Sequence, residues 1–402
     1  MKPSSPPHVI VDVRPMLSEQ TTGIGRYTSE IVRAMDVLAA GRQFSYSLLV
    51  PRRQVDLARA LPLPNCTSIV PLPALTNNLA HQIVKRRLRM SLDFLLPKGH
   101  YYFPAFTALP MYSRRSATVV HDLAHLDVPE CVESGNNRLL GYSLPRAIRQ
   151  SGKIIAVSEY TKQRIIHHFG LDPAVVHVIP PAVDRQVYRY IEPGLAQQTR
   201  ERYGVSCTNY LLAVGTLEPR KNLLNLIDAF VALRPEIRRN LSLVLIGANG
   251  WDDGEAQGRI ERARERKINI VRPTSFVKDC DMAAFYSAAR ALAFIPHYEG
   301  FGIPPLEAYA CGTPVLASRV ASVPESAGGI AHYVDDPTDI AAIRRGLMSV
   351  LSLSEHERMA LTPAMQSHLD KFAWLHSAAL TVNALTGITL AQAGVSTIDS
   401  QP

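Results

Sequence analysis

The alternation of short β-branched runs with longer amphipathic stretches constrains the fold of this 402-residue chain more than any other feature. Runs typical of strands are His8–Val13, Tyr46–Val50, Ala117–His121, Ile154–Val157, Val176–Ile179, Tyr210–Val214, Leu241–Ile246, Ile268–Val271, Ala291–Ile295 and Val315–Ala317. Segments with helical character lie between them, among them Gly25–Leu38, Tyr160–Phe169, Leu223–Leu233 and Asp281–Ala289. Strands and helices alternate in this way in parallel sheets covered by helices, so the sequence predicts an α/β protein.

The strand pattern stops and resumes around a polar stretch, Glu192–Arg202, which contains Pro193 and Gly194 and is typical of a linker. The chain is also longer than the size at which one hydrophobic core stops growing. We therefore predict two α/β domains, residues 1–190 and 191–370. Ligands of open α/β sheets bind at the carboxyl ends of the strands, so the cleft between the domains is the expected binding site.

Charge and cysteine content restrict the partners. Lysine and arginine number 43 against 35 aspartates and glutamates, and the net charge of +8 favours a nucleic acid, an anionic membrane or a phosphorylated small molecule. No RNA- or DNA-binding motif is recognisable, so we expect no nucleic acid partner. The five cysteines form no CxxC pair, which favours a reducing cytoplasm. We expect neither a signal peptide nor a membrane-spanning helix.

The most specific segment is His297–Gly312, with the sequence HYEGFGIPPLEAYACG. It places Glu299 in a glycine-rich loop and Glu307 in the helix that follows. A helix N-terminus beside a tight glycine loop attracts phosphates and oxygen-rich ligands. The two carboxylates could accept hydrogen bonds from sugar and ribose hydroxyls. Taken singly, each glutamate is more simply a solvated or helix-stabilising residue, but the whole loop favours a binding site.

This segment resembles the E-x7-E motif of the retaining glycosyltransferases of family 4, which have the GT-B fold of two Rossmann-like domains with parallel sheets facing across a cleft. The resemblance extends from Val11 to about Trp374. Residues 210–222, YLLAVGTLEPRKN, are similar to a second anchor of the family. There Arg220 and Lys221 would bind the donor diphosphate, the arginine by its planar fork and the lysine as a point charge. Thr216 stands where many relatives carry an arginine.

The amino-terminal half carries weaker signals of the same resemblance. Gly23 and Gly25, in the sequence TGIGRY, are similar to the family's glycine loop over the donor phosphates. Thr28 replaces the third glycine of a dinucleotide fingerprint, which argues against a dehydrogenase. His121 begins an HD pair and would point into the cleft, toward the transferred sugar or the acceptor. Val277 would receive the nucleobase through its backbone.

The resemblance implies a full set of site residues. The expected catalytic residues are His121, Glu299, Arg220 and Lys221, and the expected donor-binding residues are Gly23, Gly25, Thr216, Arg220, Lys221, Val277, Glu299, Gly300, Phe301, Gly302 and Glu307. We expect neither a metal nor a cofactor beyond the nucleotide-sugar co-substrate, because two cations can neutralise a diphosphate. The single Asp-x-Asp triplet, Asp279–Asp281, fits a helix start better than a metal site.

The motifs most resemble those of bacterial mannosyltransferases of O-antigen, capsule and lipopolysaccharide assembly. That implies transfer of mannose from GDP-mannose, with retention, to a lipid-linked or lipopolysaccharide glycan. UDP-glucose or a UDP-N-acetylhexosamine is the alternative donor. A sugar-nucleotide epimerase of the same fold and a catalytically silent scaffold are the alternative functions.

Three further expectations concern the surface and the chain's end. The stretch Asn78–Leu96 is either a basic amphipathic helix that attaches the protein to the cytoplasmic face of a bacterial inner membrane or an ordinary surface helix. Within residues 371–402 we expect a helix that packs back toward the first domain, followed by a frayed tail. Lys221, as a cleft residue, is expected to contribute little to stability.

Overall fold

The first domain is built on a seven-stranded parallel sheet. The computed structural model describes residues 6–17, 22–72, 95–106, 109, 111, 115–251 and 253–390. The strands are β1 His8–Asp12, β2 Ser45–Pro51, β3 Ser68–Leu72, β4 His100–Phe103, β5 Ser116–Val120, β6 Lys153–Ala156 and β7 Val176–Val178. Their order across the sheet is β3-β2-β1-β4-β5-β6-β7.

The second domain contains a six-stranded parallel sheet of the same kind. Its strands are β8 Tyr210–Val214, β9 Ser242–Ile246, β10 Ile270–Val271, β11 Ala291–Phe294, β12 Val315–Ser318 and β13 His332–Val334, in the order β10-β9-β8-β11-β12-β13. The central strands are buried at nearly every residue because helices cover both faces, as in other all-parallel sheets. The predicted α/β fold with two parallel sheets is confirmed.

Helices connect the strands in both halves of the chain. They are Gly23–Ala39, Val55–Arg59, Ala124–Asp127, Ser134–Gln150, Glu159–Phe169, Pro193–Glu201, Leu223–Val231, Pro235–Arg238, Asp253–Glu265, Asp279–Ser287, Pro304–Ala310, Val323–Ala327, Ile340–Leu351, Glu355–Ala360, Thr362–Leu369 and Trp374–Thr386. Two near the cleft have side-chain N-caps: Thr22 accepts from Gly25 N at 3.1 Å, and Ser158 accepts from Thr161 N at 3.0 Å. These caps fix where each helix begins, at the carboxyl end of its sheet.

The chain crosses between the two domains twice. After β7 it reaches helix Pro193–Glu201, which packs on helix Asp279–Ser287 of the second domain. It returns near residue 372, and helix Trp374–Thr386 packs on helix Gly23–Ala39 and on the first sheet. The Ser377 hydroxyl donates to the Pro180 carbonyl oxygen at 2.7 Å and fastens the returning helix beside the outgoing segment. Among the described helices, none has the length and hydropathy that crossing a bilayer requires.

A polar seam joins the domains beside the cleft. The Glu325 carboxylate of the second domain accepts from the backbone N–H groups of Glu159 and Tyr160, at 2.7 and 2.8 Å, and so caps helix Glu159–Phe169 of the first domain. The Tyr298 hydroxyl donates to Asp127 at 2.8 Å across the same boundary. The loops that follow β5 and β11 therefore face each other at close range.

Candidate active site

The two predicted diphosphate cations lie on a turn that follows β8. Pro219–Lys221 forms a single 3-10 turn, which ends at Asn222 in the left-handed conformation, with φ of 58°. Asparagine is among the residues that tolerate this conformation, and Asn222 Nδ2 donates to the carbonyl oxygens of Ile295 and Pro337 at 2.9 and 2.7 Å. The turn is thereby tied to the end of β11, and Arg220 and Lys221 are held at the cleft.

Both cations converge on Glu299. Lys221 Nζ donates to Glu299 Oε1, and Arg220 Nη1 donates to Glu299 Oε2 at 3.0 Å. Glu299 is only 6% exposed. Burial would raise the pKa of Glu299, but the positive charges of Lys221 and Arg220 outweigh it and hold the pKa below its ordinary value. Glu299 is therefore a carboxylate near neutral pH.

Arg220 also contacts two further carboxylates. Its Nη2 donates to Glu218 Oε1 at 2.8 Å, and its Nη1 lies 3.8 Å from Asp122 Oδ2 in the first domain. With Glu299, this gives three carboxylates against the charges of Arg220 and Lys221. Together these five side chains carry one formal negative charge in excess.

Glu307, the other glutamate of the motif, is paired across the domain boundary. It is 3% exposed. Arg26 Nη2 lies 2.7 Å from Glu307 Oε1, and the Tyr286 hydroxyl donates to Oε2 at 2.6 Å. The Arg26 guanidinium also lies 4.9 Å from the ring centroid of Tyr188. Each oxygen of Glu307 therefore has a defined partner.

The glycine loop between the two glutamates packs against the first domain. A Cβ placed on Gly300 would overlap the carbonyl oxygen of His121, so glycine is required by this close approach. The hydroxyls of Ser158 and Thr161 donate to the Gly300 carbonyl oxygen at 2.6 and 3.0 Å. Gly302 has a φ of 86°, which also favours glycine.

Phe301, between these glycines, does not expose its ring to the cleft. The side chain is 5% exposed and meets Phe372 with the ring centroids 5.6 Å apart. Only the Phe301 backbone is thus available to a ligand.

His121 lies at the carboxyl end of β5, where the sequence predicts it. Its Nε2 lies 2.7 Å from the Pro104 carbonyl oxygen, and a carbonyl only accepts, so Nε2 carries the hydrogen. Burial lowers the pKa of His121, which keeps the ring neutral and leaves Nδ1 as an acceptor. The ring packs edge-on against Tyr27 and Phe106.

The remaining predicted donor residues lie on helix Gly23–Ala39 and on two loops. Gly23 opens helix Gly23–Ala39 at the surface, whereas Gly25 is buried against the Pro15 carbonyl. Thr216 is partly exposed beside Arg220 and Lys221. Val277 is buried, with 5% of its surface exposed, and it precedes helix Asp279–Ser287.

The Asp-x-Asp triplet is engaged within the protein. Asp281 accepts from the Tyr203 hydroxyl at 2.6 Å and pairs with Arg202 at 3.1 Å, in the first turn of helix Asp279–Ser287. Across the described part of the chain, no group of three or more His, Cys, Asp or Glu side chains could hold a metal ion.

Sequence reasoning did not assign four of the residues that build this site. Arg26, Asp122 and Glu218 stand inside segments that the motifs single out, but nothing local indicates that their partners are Glu307 and Arg220. No sequence motif indicates that Tyr286 belongs to the site. The basic stretch Asn78–Leu96 falls outside the described residues except for its last two positions.

Comparisons with known proteins identify the family of this chain. Residues 21–187 match the family model described as Glycosyltransferase Family 4, and residues 197–364 match the model described as Glycosyl transferases group 1. The O-antigen chain mannosyltransferase B of Escherichia coli is 31% identical over 284 residues, which cover 71% of this chain and 73% of that protein. The serotype-specific mannosyltransferase WbdA of Escherichia coli is 27% identical over 281 residues, covering 68% of this chain and 33% of WbdA.

Solved structures show the same fold. WaaG, a glycosyltransferase involved in lipopolysaccharide biosynthesis, superposes with a TM-score of 0.64 at 16% identity, covering 94% of this chain and 100% of WaaG. Anabaena HepE in complex with UDP and glucose gives a TM-score of 0.66 at 15% identity, covering 95% of this chain and 100% of HepE. Together with the two parallel sheets and the 31% identical relative, these matches show that the chain belongs to the family 4 and group 1 glycosyltransferases and is a hexosyltransferase with the GT-B fold.

Proposed function

We propose that this enzyme transfers mannose from GDP-mannose to a lipid-linked or lipopolysaccharide glycan, with retention of configuration at the anomeric carbon. The observation that carries the proposal is the convergence of Arg220 and Lys221 on the buried carboxylate of Glu299. The similarity to an O-antigen mannosyltransferase supports the choice of mannose and of a glycan acceptor.

The donor diphosphate binds by exchange of ion-pair partners. Arg220 and Lys221 are paired with three carboxylates, so a diphosphate must take the place of some of these partners. Lys221 gives up Glu299 Oε1 for a phosphate oxygen, which frees that carboxylate oxygen for a sugar hydroxyl. Arg220, with three carboxylates around it, keeps Glu299 oriented and faces the leaving diphosphate.

These cations also supply the catalysis. The acceptor hydroxyl oxygen bonds to the anomeric carbon as the bond from that carbon to the diphosphate breaks, and the hydroxyl proton passes to the departing phosphate oxygen. During this step negative charge develops on the diphosphate and positive charge on the anomeric carbon. Preorganised cations that stabilise the leaving group act without reorganisation, which is usually the largest contribution to rate. Glu299 stabilises the anomeric carbon, and neutral His121 accepts a hydroxyl hydrogen through Nδ1.

The ribose and the nucleobase of the donor bind to the second domain. Glu307 binds the ribose hydroxyls, and the Val277 backbone faces the nucleobase. Because Arg220 and Lys221 neutralise the diphosphate, the reaction needs no metal ion, and we expect transfer in the presence of a chelator. Attachment to a membrane stays a prediction, since it depends on Asn78–Leu96.

Thermal-shift binding tests the donor assignment. The purified protein is heated with GDP-mannose, UDP-glucose, UDP-N-acetylglucosamine, GDP, UDP or NAD, and a ligand that binds the folded state raises the unfolding temperature. We expect stabilisation by GDP-mannose and GDP, and loss of that stabilisation in Glu307→Ala. Glu261→Ala, at an exposed position of helix Asp253–Glu265 outside the donor contacts, is the control for binding.

Each other outcome has a defined meaning. Stabilisation by the UDP ligands alone would replace mannose by glucose or N-acetylhexosamine as the donor sugar. Conversion of the nucleotide sugar without any acceptor would favour the epimerase. Absence of stabilisation by every ligand would contradict the donor site and favour the silent scaffold.

A further inference from the structure

Arg26 of the first domain contacts Glu307, the predicted ribose-binding residue of the second domain. It lies in the first turn of helix Gly23–Ala39, whose start is fixed by the Thr22 cap. Its Nη2 lies 2.7 Å from Glu307 Oε1, on helix Pro304–Ala310. Glu307 therefore depends on a partner that reaches it across the domain boundary.

The buried carboxylate of Glu307 has few other partners. It is 3% exposed, and a buried carboxylate without a positive partner is costly. Its second oxygen accepts from the neutral Tyr286 hydroxyl at 2.6 Å. Within the described residues, Arg26 is the cation that forms an ion pair with Glu307, since the second domain offers no lysine or arginine within 4.0 Å of it.

The guanidinium of Arg26 is held in one place by its other contacts. It lies 4.9 Å from the Tyr188 ring centroid, and its Nε lies 4.0 Å from Asp279. Tyr188 is 1% exposed and packs 6.1 Å from the Tyr286 ring, measured between centroids. The same cluster thus fixes both the cation and the tyrosine that orient Glu307.

We propose that Arg26 is a positioning residue for the donor ribose, which reaches from the first domain to pair with Glu307 and hold its carboxylate in one orientation. This inference rests on the proposed function, because it assumes that Glu307 receives ribose hydroxyls. It adds that the ribose site is complete only when the two domains are together. Donor binding and cleft closure are therefore coupled through this ion pair.

Nucleotides with and without ribose hydroxyls test the role of Arg26. Dissociation constants are measured by calorimetry for GDP and 2′,3′-dideoxy-GDP, with UDP and 2′,3′-dideoxy-UDP in parallel. In Arg26→Met we expect affinity for the ribonucleotide to fall roughly tenfold or more, because Glu307 loses its charge-assisted bond. Affinity for the dideoxy form, which makes no bond to Glu307, should stay within about twofold of wild type.

Three variants serve as controls. Arg33→Met removes an arginine from the exposed face of the same helix, where it pairs with Glu30, and should leave both affinities unchanged. Arg26→Lys should restore part of the ribonucleotide affinity. In Glu307→Gln, adding Arg26→Met should cause no further loss, since the two residues act as a unit.

The outcomes separate this inference from the proposed function. Equal weakening of the ribonucleotide and dideoxy forms would overturn it, because Arg26 would then act on the diphosphate or on the fold. Unchanged affinity in Arg26→Met would overturn it as well, with the donor site intact. If the wild-type protein binds none of the four nucleotides, the proposed function fails, and the role of Arg26 fails with it.

Discussion

At the scale of single residues, the pairing of Lys221 differs from what its sequence context suggests. As a cleft lysine it is expected to contribute little to stability. The structure instead places its ammonium against Glu299, which is 6% exposed, and removal of one partner of a buried ion pair leaves the other charge uncompensated. Arg220 remains as a second partner, so the cost is partial.

Lys221→Met should therefore affect both activity and stability. We expect kcat/KM for transfer to fall roughly 100-fold or more, because a preorganised donor to the leaving group is lost. The free energy of unfolding should fall by about 1–3 kcal/mol at pH 7. Lys371→Met, at an exposed position, is the matched control for both measurements.

The pH dependence of this loss has a defined sign. The pKa of Glu299 in the folded protein lies below its ordinary value of 4.5, so the stability gained from its ion pairs is present above pH 4.5 and is lost as the pH falls through the folded pKa. Urea unfolding at a series of pH values should show that the difference in the free energy of unfolding between wild type and Lys221→Met becomes smaller toward acidic pH. A gap that stayed constant down to pH 3 would contradict the assignment of the stability difference to Glu299.

At the scale of elements, the loop between β11 and helix Pro304–Ala310 is the part of the site that the sequence predicts best. Its glycines and prolines mark a tight turn that leads into a helix, and these local signals predict where Glu299 and Glu307 stand. The partners of these two glutamates could not be predicted in the same way. Arg26 and Asp122 lie far away in sequence, and nothing local encodes the distance between two domains.

The strands that the sequence did not reveal are short or lie at sheet edges. β3 contains Pro71 and is largely exposed, and β13 has three residues, so neither shows clear periodicity. β4, His100–Phe103, is buried but has only four residues, three of them aromatic. The longer apolar strands at the centres of the sheets were predicted because burial on both faces gives continuous hydrophobic runs.

Gly300→Ala tests the packing of this loop. The added methyl group would overlap the His121 carbonyl oxygen, so the loop must move away from the first domain. We expect transfer to fall at least roughly 100-fold and the free energy of unfolding to fall by about 1–3 kcal/mol. Gly329→Ala is the control, since a Cβ there meets nothing within 4 Å. Full activity in Gly300→Ala would contradict the close approach.

At the scale of the whole molecule, the seam beside the cleft sets how the domains close. Glu325 caps the first turn of helix Glu159–Phe169 in the opposite domain, and the hydroxyls of Ser158 and Thr161 hold the Gly300 carbonyl. These contacts join the loop that carries Glu299 and Gly300 to the first domain. Opening of the cleft must break them together.

Glu325→Ala should shift the enzyme toward an open cleft. Without the carboxylate, two N–H groups at a helix N-terminus lose their acceptor, which costs about 1 kcal/mol. We expect a larger radius of gyration in small-angle X-ray scattering and a higher KM for the donor. Glu261→Ala, on the exposed helix Asp253–Glu265, should change neither. Identical scattering and KM in Glu325→Ala would mean that the seam does not control closure.

The returning helix Trp374–Thr386 has a consequence for how such enzymes can be recombined. Although it follows the second domain in the chain, it packs on helix Gly23–Ala39 and is fastened to Pro180. A chimera designed to change acceptor preference by exchanging the first half of the gene would leave this helix facing a foreign surface. A workable exchange has two cut sites, one near residue 190 and one near residue 372. The first domain is then replaced together with the returning helix that packs on it.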